Sequence, residues 1–294
     1  MARTALVLSG GGAKGAFQVG AEKYLREEMG YRWDIIAGVS VGALNGVMLA
    51  MEKYRRLEAI WRTICDNKVY RGKVNLLTAW QLFRGARSIY DNDPLARIIE
   101  REVEPGEIRA DLRVGSVSLA SGRYTIFRGD HPDIKKAILA STVVPILWPP
   151  QHVSDECRLM VDGTLRRFSP IGDVLDAEPD EVVIINCWPK HPAPLNRPLT
   201  NVLEIGLRAL EIATAGIIYS DIHEFTHINR NVLEAAERGV VLTNVKGKPY
   251  RHYRYMVIEP EKHLSPLLDF SHDTVMRNME LGWQRARAVA GEGG

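Results

Sequence analysis

Cysteine is scarce in this chain, and the three cysteines that it has are scattered. Cys65, Cys157 and Cys187 form neither a CxxC pair nor an even-numbered framework. A disulfide-stapled domain and a cysteine-rich zinc module are therefore excluded, and a reducing compartment is expected.

Long apolar runs are missing as well. The sequence has no stretch of about 18 uninterrupted apolar residues, so no membrane-spanning helix is expected. The opening residues, MARTALVLSGGG, lack the basic start and the long apolar core of a secretory signal. We therefore expect a cytoplasmic protein whose contact with a membrane would be peripheral.

Neither sign of charge is in excess. The 38 Lys and Arg residues are balanced by 36 Asp and Glu residues, which leaves a formal net charge of +2. This balance argues against a nucleic-acid partner. Apolar residues make up 46% of the 294 residues, an ordinary globular proportion in a chain long enough to bury a sizeable core.

Short β-branched runs alternate with longer helical patterns along the chain. The alternation predicts an α/β fold with three layers, α/β/α, around a mostly parallel sheet. We expect a single domain over 1–294 with a helical C-terminal portion over 200–294. The predicted strands are 4–9, 34–39, 112–119, 123–128, 158–162, 181–187 and 253–260, and the predicted helices are 14–29, 41–51, 55–66, 94–102, 132–139, 200–238 and 272–290.

A glycine cluster, GGGAKG (10–15), lies between the first predicted strand and the first helix. It fits the GxGxxG pattern of dinucleotide-binding proteins, which also requires an acidic residue at the end of the second strand. That strand ends in Ser40, and Asp34 lies at its other end. A phosphate-binding loop needs a final Gly-Lys-Ser/Thr, whereas Lys14 precedes Gly15. Both observations weaken a nucleotide-binding interpretation.

The second predicted strand ends in GVSVG, a GxSxG pattern followed by helical sequence. A serine at a sharp strand-to-helix turn projects its hydroxyl clear of the backbone, and the turn requires small neighbours two positions away. Gly38 and Gly42 meet this requirement. Ser40 is therefore the candidate nucleophile.

Beside a serine nucleophile, the glycine cluster has a different use. Consecutive glycines let backbone N–H groups converge, and the N-terminus of the following helix adds positive potential. This arrangement suits the oxyanion of a tetrahedral acyl intermediate. We predict that Gly10, Gly11 and Gly12 form the oxyanion hole.

A serine hydroxyl also needs a proton acceptor. Asp162 ends an apolar predicted strand and precedes Gly163 at a turn, and sites in parallel α/β sheets form at the carboxyl ends of strands. A Ser–Asp–His order that uses one of the later histidines stays open on this evidence.

Four ordered blocks in roughly the first 170 residues resemble the patatin-like phospholipases. GGGAKG resembles the glycine-rich block of the family and GVSVG its nucleophile elbow. ASTVVP (140–145) resembles its Ala-Ser-x-x-x-Pro segment and DGT (162–164) its Asp-Gly-Gly/Ala motif. YDNDPLARII is similar to a further Asp-Asn-x-Pro-Leu stretch of the family.

The resemblance implies a Ser40–Asp162 dyad that works without histidine, metal or cofactor. It also implies phospholipids or related acyl esters as substrates, and Lys14, Gly15, Gly38, Gly42 and Gly163 as motif residues around the site. Thr164 stands where the family usually has glycine or alanine, and the asparagine commonly found a few residues later is absent from LRRFSP (165–170). A non-catalytic lipid-binding module on the same fold is the alternative, and a homo-oligomer stays open.

A second motif, HEFTH (223–227), matches the HExxH signature of zinc peptidases. On a helical projection His223 and His227 fall opposite the apolar stripe, on the face expected to be solvated. Arg230 and Leu233 replace the glycine and histidine of one continuation of this motif. We therefore expect no metal site here, and a zinc metallopeptidase with a thermolysin-like third carboxylate stays open as the least favoured alternative.

Between nucleophile and base, residues 67–91 mix apolar and basic side chains. The stretch contains Leu76, Trp80 and Phe83 together with Arg84 and Arg87. This composition suits either a cap that meets lipid or a helix packed on the sheet with snorkelling arginines.

Overall fold

The computed structural model describes residues 2–64, 92–189, 194–195 and 198–292, without the side chains of residues 203, 207, 210, 211 and 292. The predicted cap over 67–91 lies outside the described residues. Described strands are β1 (Thr4–Leu8), β2 (Ile35–Gly38), β3 (Asp111–Ser118), β4 (Tyr124–Arg128), β5 (Met160–Asp162), β6 (Glu181–Ile185) and β7 (Arg254–Ile258).

Helices alternate with these strands, as the sequence predicts. They are α1 (Gly15–Glu27), α2 (Val41–Ala50), α3 (Tyr54–Thr63), α4 (Asp93–Glu102), α5 (Ile134–Ser141), α6 (Gly172–Leu175), α7 (Val202–Glu237) and α8 (His272–Glu292). Short 3-10 turns occur at Gly12–Lys14, Pro105–Glu107 and Gly163–Leu165. The four-residue helix α6 has no counterpart among the predicted helices, because it is too short to show a periodic pattern.

The strands form one mixed sheet. Among the described residues its order is β4-β3-β2-β1-β6-β7, with β5 also pairing with β3. The β3-β2-β1-β6-β7 portion is parallel, whereas β4 and β5 both run antiparallel to β3. The prediction of a mostly parallel sheet is confirmed.

Alternate residues of β1 face two separate cores. Leu6 and Leu8 face the core that α1, α2, α3, α4, α5 and α8 cover, and Ala5 and Val7 face the core beneath α6 and α7. All four side chains are fully buried. A strand buried on both faces reads as a continuous apolar run, which is why TALVL shows no alternation. The predicted three layers are therefore confirmed.

Helix α8 crosses helix α1 at unusually close range. A Cβ added to Gly20 would collide with the Met279 carbonyl, and one added to Gly282 would collide with the Phe17 carbonyl. Each helix thus contributes a glycine so that the backbones can approach. The C-terminal helix in this way holds the helix that follows the glycine cluster.

Candidate active site

The strand register brings the predicted site residues together at one end of the parallel strands. Leu8 pairs with Gly38, and Gly38 with Val114, so the glycine cluster and Ser40 follow the last paired residues of β1 and β2 at the same end of the sheet, and Ser116 lies two residues beyond Val114 in β3. Ser116 in turn pairs with Asp162. The glycine cluster, Ser40 and Asp162 therefore meet at one edge, although they lie far apart in the chain.

The direction of the strand that carries Asp162 differs from the prediction. We expected β5 to be a parallel strand whose carboxyl end lies at the site edge. Instead β5 runs antiparallel to β3, and Asp162 reaches the site through its pairing with Ser116. The residue is in the expected place for a different reason.

Ser40 occupies a strained turn between β2 and α2. Its φ of 56° and ψ of −128° are sparsely populated for a residue with a side chain, at a cost of about 1–3 kcal/mol. A Cβ on Gly38 would collide with the Gly42 carbonyl, and one on Gly42 with the Leu8 carbonyl. Glycine at both positions is what allows this turn to form.

The ASTVVP segment ties the candidate nucleophile to the candidate base. The Ser40 N–H donates to Ser141 Oγ (3.0 Å), and that hydroxyl donates to the Gly115 carbonyl (2.6 Å). Two residues later the Val143 carbonyl accepts the N–H of Asp162 (2.8 Å). The sequence motif therefore has a structural reason: its backbone and serine fix both residues against β3.

Asp162 is a buried carboxylate with one free oxygen. Its Oδ1 accepts the Thr164 N–H at 2.9 Å, whereas Oδ2 has no partner at hydrogen-bonding distance among the described residues. Burial raises the pKa of Asp162 to about 6, and the Thr164 N–H and the nearby Ser40 hydroxyl oppose this rise. A carboxylate with a raised pKa and an unused oxygen is suited to accept a proton near neutral pH.

Of the three glycines predicted to form the oxyanion hole, one already uses its N–H in another hydrogen bond. The Gly10 N–H donates to the Phe168 carbonyl (3.3 Å), and the Gly10 carbonyl accepts Trp188 Nε1 (3.2 Å). The N–H groups of Gly11 and Gly12 have no partner among the described residues. The Gly10 N–H thus already has a hydrogen-bond partner in this structure, and the N–H groups of Gly11 and Gly12 are the two available donors.

Gly10 has a steric role instead. A Cβ built on it would lie 3.2 Å from the Ser40 Cβ and would collide with the Thr164 methyl group. Thr164, the departure from the family motif, therefore fills space that Gly10 leaves open. The larger side chain beside the base is compatible with this site.

The remaining motif residues shape the loop. Lys14 is buried, and its ammonium group lies 2.9 Å from the centroid of the Trp188 ring, a favourable cation–π placement. A Cβ on Gly15 would collide with Val41, and one on Gly163 would approach the Gly115 carbonyl to 2.5 Å. Both glycines permit close packing around the turn that follows.

Three residues that hold the glycine loop were missed by sequence reasoning. Phe168 and Trp188 bond to Gly10, and the Leu267 carbonyl accepts the Ala13 N–H at 2.8 Å. Two of these contacts are made by backbone carbonyls, which any residue type supplies. No sequence pattern could have identified them.

The two histidines of HEFTH lie on the exposed face of α7, as the helical projection predicts. His223 and His227 are exposed, their rings stack with centroids 5.9 Å apart, and the His227 ring contacts Asn231 and Arg230. Within the described ranges no three His, Cys, Asp or Glu residues are grouped as a metal site would require.

None of the described helices combines the length and the apolar composition needed to cross a membrane.

Comparison with known proteins identifies the class. The family model "Patatin-like phospholipase" matches residues 6–175, which include the glycine cluster, Ser40 and Asp162. Because this match covers more than half of the chain, the protein belongs to the patatin-like phospholipase family.

Individual relatives add detail. A curated lysophospholipase, nte1 of Aspergillus terreus (strain NIH 2624 / FGSC A1156), is 55% identical over 47 residues, which are 16% of this chain and 3% of that protein. The chain thus spans a small fraction of the length of this relative. The crystal structure of VipD from Legionella pneumophila aligns over 99% of this chain and 67% of that one, at 13% identity and a TM-score of 0.44. The type III effector ExoU aligns over 99% and 53%, at 12% identity and a TM-score of 0.41.

Proposed function

We propose that the protein is a serine acyl hydrolase that cleaves carboxylic esters of phospholipids or related lipids. The observation that carries the proposal is the buried Asp162 carboxylate, which lies near the hydroxyl of the strained Ser40 and whose Oδ2 has no hydrogen-bond partner among the described residues. Most buried carboxylate oxygens in proteins are hydrogen-bonded. This carboxylate keeps one oxygen available for a proton.

In the first half-reaction, Ser40 Oγ attacks the ester carbonyl while Asp162 Oδ2 accepts its proton. The resulting oxyanion lies at the N–H groups of Gly11 and Gly12. When the tetrahedral intermediate collapses, the C–O bond of the ester breaks and Asp162 returns the proton to the leaving alcohol. An acyl group remains on Ser40.

In the second half-reaction, Asp162 accepts a proton from water as the water oxygen attacks the acyl carbonyl. Collapse of this intermediate returns the proton to Ser40 Oγ and releases the fatty acid. The aspartate serves as base and then as acid in each half-reaction, so no histidine is needed.

Covalent labelling with a fluorophosphonate tests this proposal. Wild type should label, and Ser40→Ala should lose both the label and turnover of a short-chain nitrophenyl ester by about 10³-fold or more. Ser121→Ala is the matched control, because Ser121 is exposed in the β3–β4 turn. Equal labelling of wild type and Ser40→Ala would show that Ser40 is not the nucleophile.

The same experiment decides between the enzyme and a non-catalytic lipid-binding module. A module would bind phospholipid vesicles without labelling and without releasing fatty acid. The available Asp162 oxygen and the two unpaired glycine N–H groups favour the enzyme, since binding alone requires neither.

A further inference from the structure

Helix α7 begins beyond the residues that the family model matches, and the proposed mechanism gives it no role. We propose that Asp221 on this helix is a positioning residue for the oxyanion loop and acts through the Phe168 peptide. The inference rests on the proposed hydrolase function.

The Asp221 carboxylate binds two successive backbone N–H groups. Its Oδ2 accepts the N–H of Phe168 at 2.8 Å and that of Ser169 at 3.0 Å. Bonds to an ionised acceptor are about twice as strong as neutral ones. These two residues lie in the irregular stretch after the Gly163–Leu165 turn, where no strand or helix fixes the backbone.

Phe168 passes this constraint to the active site. Its carbonyl accepts the Gly10 N–H at 3.3 Å, and its ring meets the Trp188 ring edge-on at 5.8 Å. Trp188 Nε1 in turn donates to the Gly10 carbonyl. Both the N–H and the carbonyl of Gly10 are therefore hydrogen-bonded, directly before the Gly11 and Gly12 donors.

Packing and hydrogen bonds hold helix α7 in place on both sides of Asp221. One turn before Asp221, Ile218 packs with Phe168, Cys187 and Trp188. Two turns after it, Asn229 exchanges two hydrogen bonds with the Tyr253 backbone, at 2.9 and 2.7 Å. The helix is thus anchored on both sides of the aspartate.

The protonation state of Asp221 depends on its burial and on the groups around it. Burial raises its pKa to about 6, while the two backbone N–H groups and the positive charge of Arg167 oppose the rise and Glu224 adds to it. In its anionic form the side chain is stabilised by the loop N–H groups and by Arg167. Loss of the carboxylate should therefore release the loop.

The expected effect is on the transition state. The Gly11 and Gly12 donors act on the oxyanion, which exists only after attack, so a displaced loop should lower kcat and leave KM nearly unchanged. Displacements of about 1 Å cost up to about 10²-fold in rate. We expect Asp221→Ala to lower kcat by about 10- to 100-fold, with KM within about twofold of wild type.

Rescue by a conservative variant separates positioning from general stability. Asp221→Asn keeps an oxygen that can accept both N–H groups, so its kcat should lie within about threefold of wild type. Binding of a trifluoromethyl ketone, which forms an oxyanion on the nucleophile, should weaken in Asp221→Ala by the same factor as kcat. Glu224→Ala, an exposed carboxylate one turn farther along α7, is the matched control and should behave as wild type.

Three results would overturn the proposal. They are wild-type kcat in Asp221→Ala, an equal loss in Asp221→Asn and Asp221→Ala, and a parallel loss in Glu224→Ala. If Asp221→Ala does not fold, Asp221→Glu moves the carboxylate by one methylene and should lower kcat, and an unchanged kcat would contradict the idea. Failure of the proposed function is distinguishable, because wild type itself would then not label at Ser40.

Discussion

The two regions on either side of residue 175 contribute differently to the site. Residues 6–175, which match the family model, supply Ser40, Asp162 and the glycine cluster. The described part of 176–292 supplies no group to the proposed Ser40–Asp162 mechanism, but Trp188, Asp221 and Leu267 hold the glycine loop directly or through Phe168. The candidate reacting groups are concentrated in the first region, whereas the glycine loop is held in part by residues of the second.

This difference has a physical origin. Reacting groups must be particular side chains at fixed spacings, so they leave a sequence signature. Supporting contacts are made by carbonyls, by packing and by single polar side chains on long helices, and many residue types can make them. The comparison predicts that substitutions before residue 175 act on chemistry, whereas those after it act on position and stability.

The largest effect should come from Asp162→Asn. The amide cannot accept the serine proton, so kcat should fall by about 10³-fold. Because the change also removes a buried charge, the thermal midpoint should not fall by more than about 2 °C. Ester turnover and a melting curve on the same sample measure both. Turnover within tenfold of wild type would assign the base elsewhere.

Gly10→Ala should have the next largest effect. The added methyl group would collide with Thr164 and crowd the Ser40 Cβ, so we expect about a 10²-fold loss of kcat/KM. Gly216→Ala is the control, since a Cβ there meets nothing within 4 Å. Near-normal turnover in Gly10→Ala would show that the loop has room that this structure does not show.

The pH dependence of turnover should sharpen the comparison further. Asp162 must be ionised to accept a proton, and burial raises its pKa to about 6. Therefore kcat/KM should be flat above pH 6 and fall about tenfold for each pH unit below it. A pH–rate profile between pH 4.5 and 8.5 measures this.

Asp221 also has a pKa of about 6, so a control is needed to assign that limb. Asp221→Asn cannot ionise at this position and should keep the same acidic limb. Disappearance of the limb in this variant would assign it to Asp221 and contradict the role given to Asp162.

Gly282→Ala should have the smallest effect on catalysis. Its methyl group would collide with the Phe17 carbonyl at the α1–α8 crossing, which should cost about 1–3 kcal/mol of stability. Below the melting transition, turnover should stay within about twofold of wild type. Urea unfolding beside Gly206→Ala, where a Cβ meets nothing within 4 Å, measures the cost. A large loss of turnover in the still-folded variant would contradict the prediction that this part of the second region acts on stability and not on catalysis.

Sequence patterns were sufficient for the order of elements. Continuous apolar runs and helical periodicity predicted the strands and the long helices, because burial on both faces leaves an unbroken apolar run and burial on one face leaves a periodic pattern. They did not reveal that β5 is antiparallel or that α6 exists. Pairing direction depends on where a strand comes to lie, and a single helical turn has no period to detect.

At the site, the sequence by itself determined which groups are candidates for the reaction. A serine between glycines and an aspartate before a glycine are set by residue identity and spacing. Only the tertiary structure decided three hydrogen bonds. The Gly10 N–H donates to the Phe168 carbonyl, the Ser40 N–H donates to Ser141 Oγ, and the Phe168 N–H donates to the Asp221 carboxylate. These contacts join residues far apart in the chain and depend on strand register and helix position, which no local pattern records.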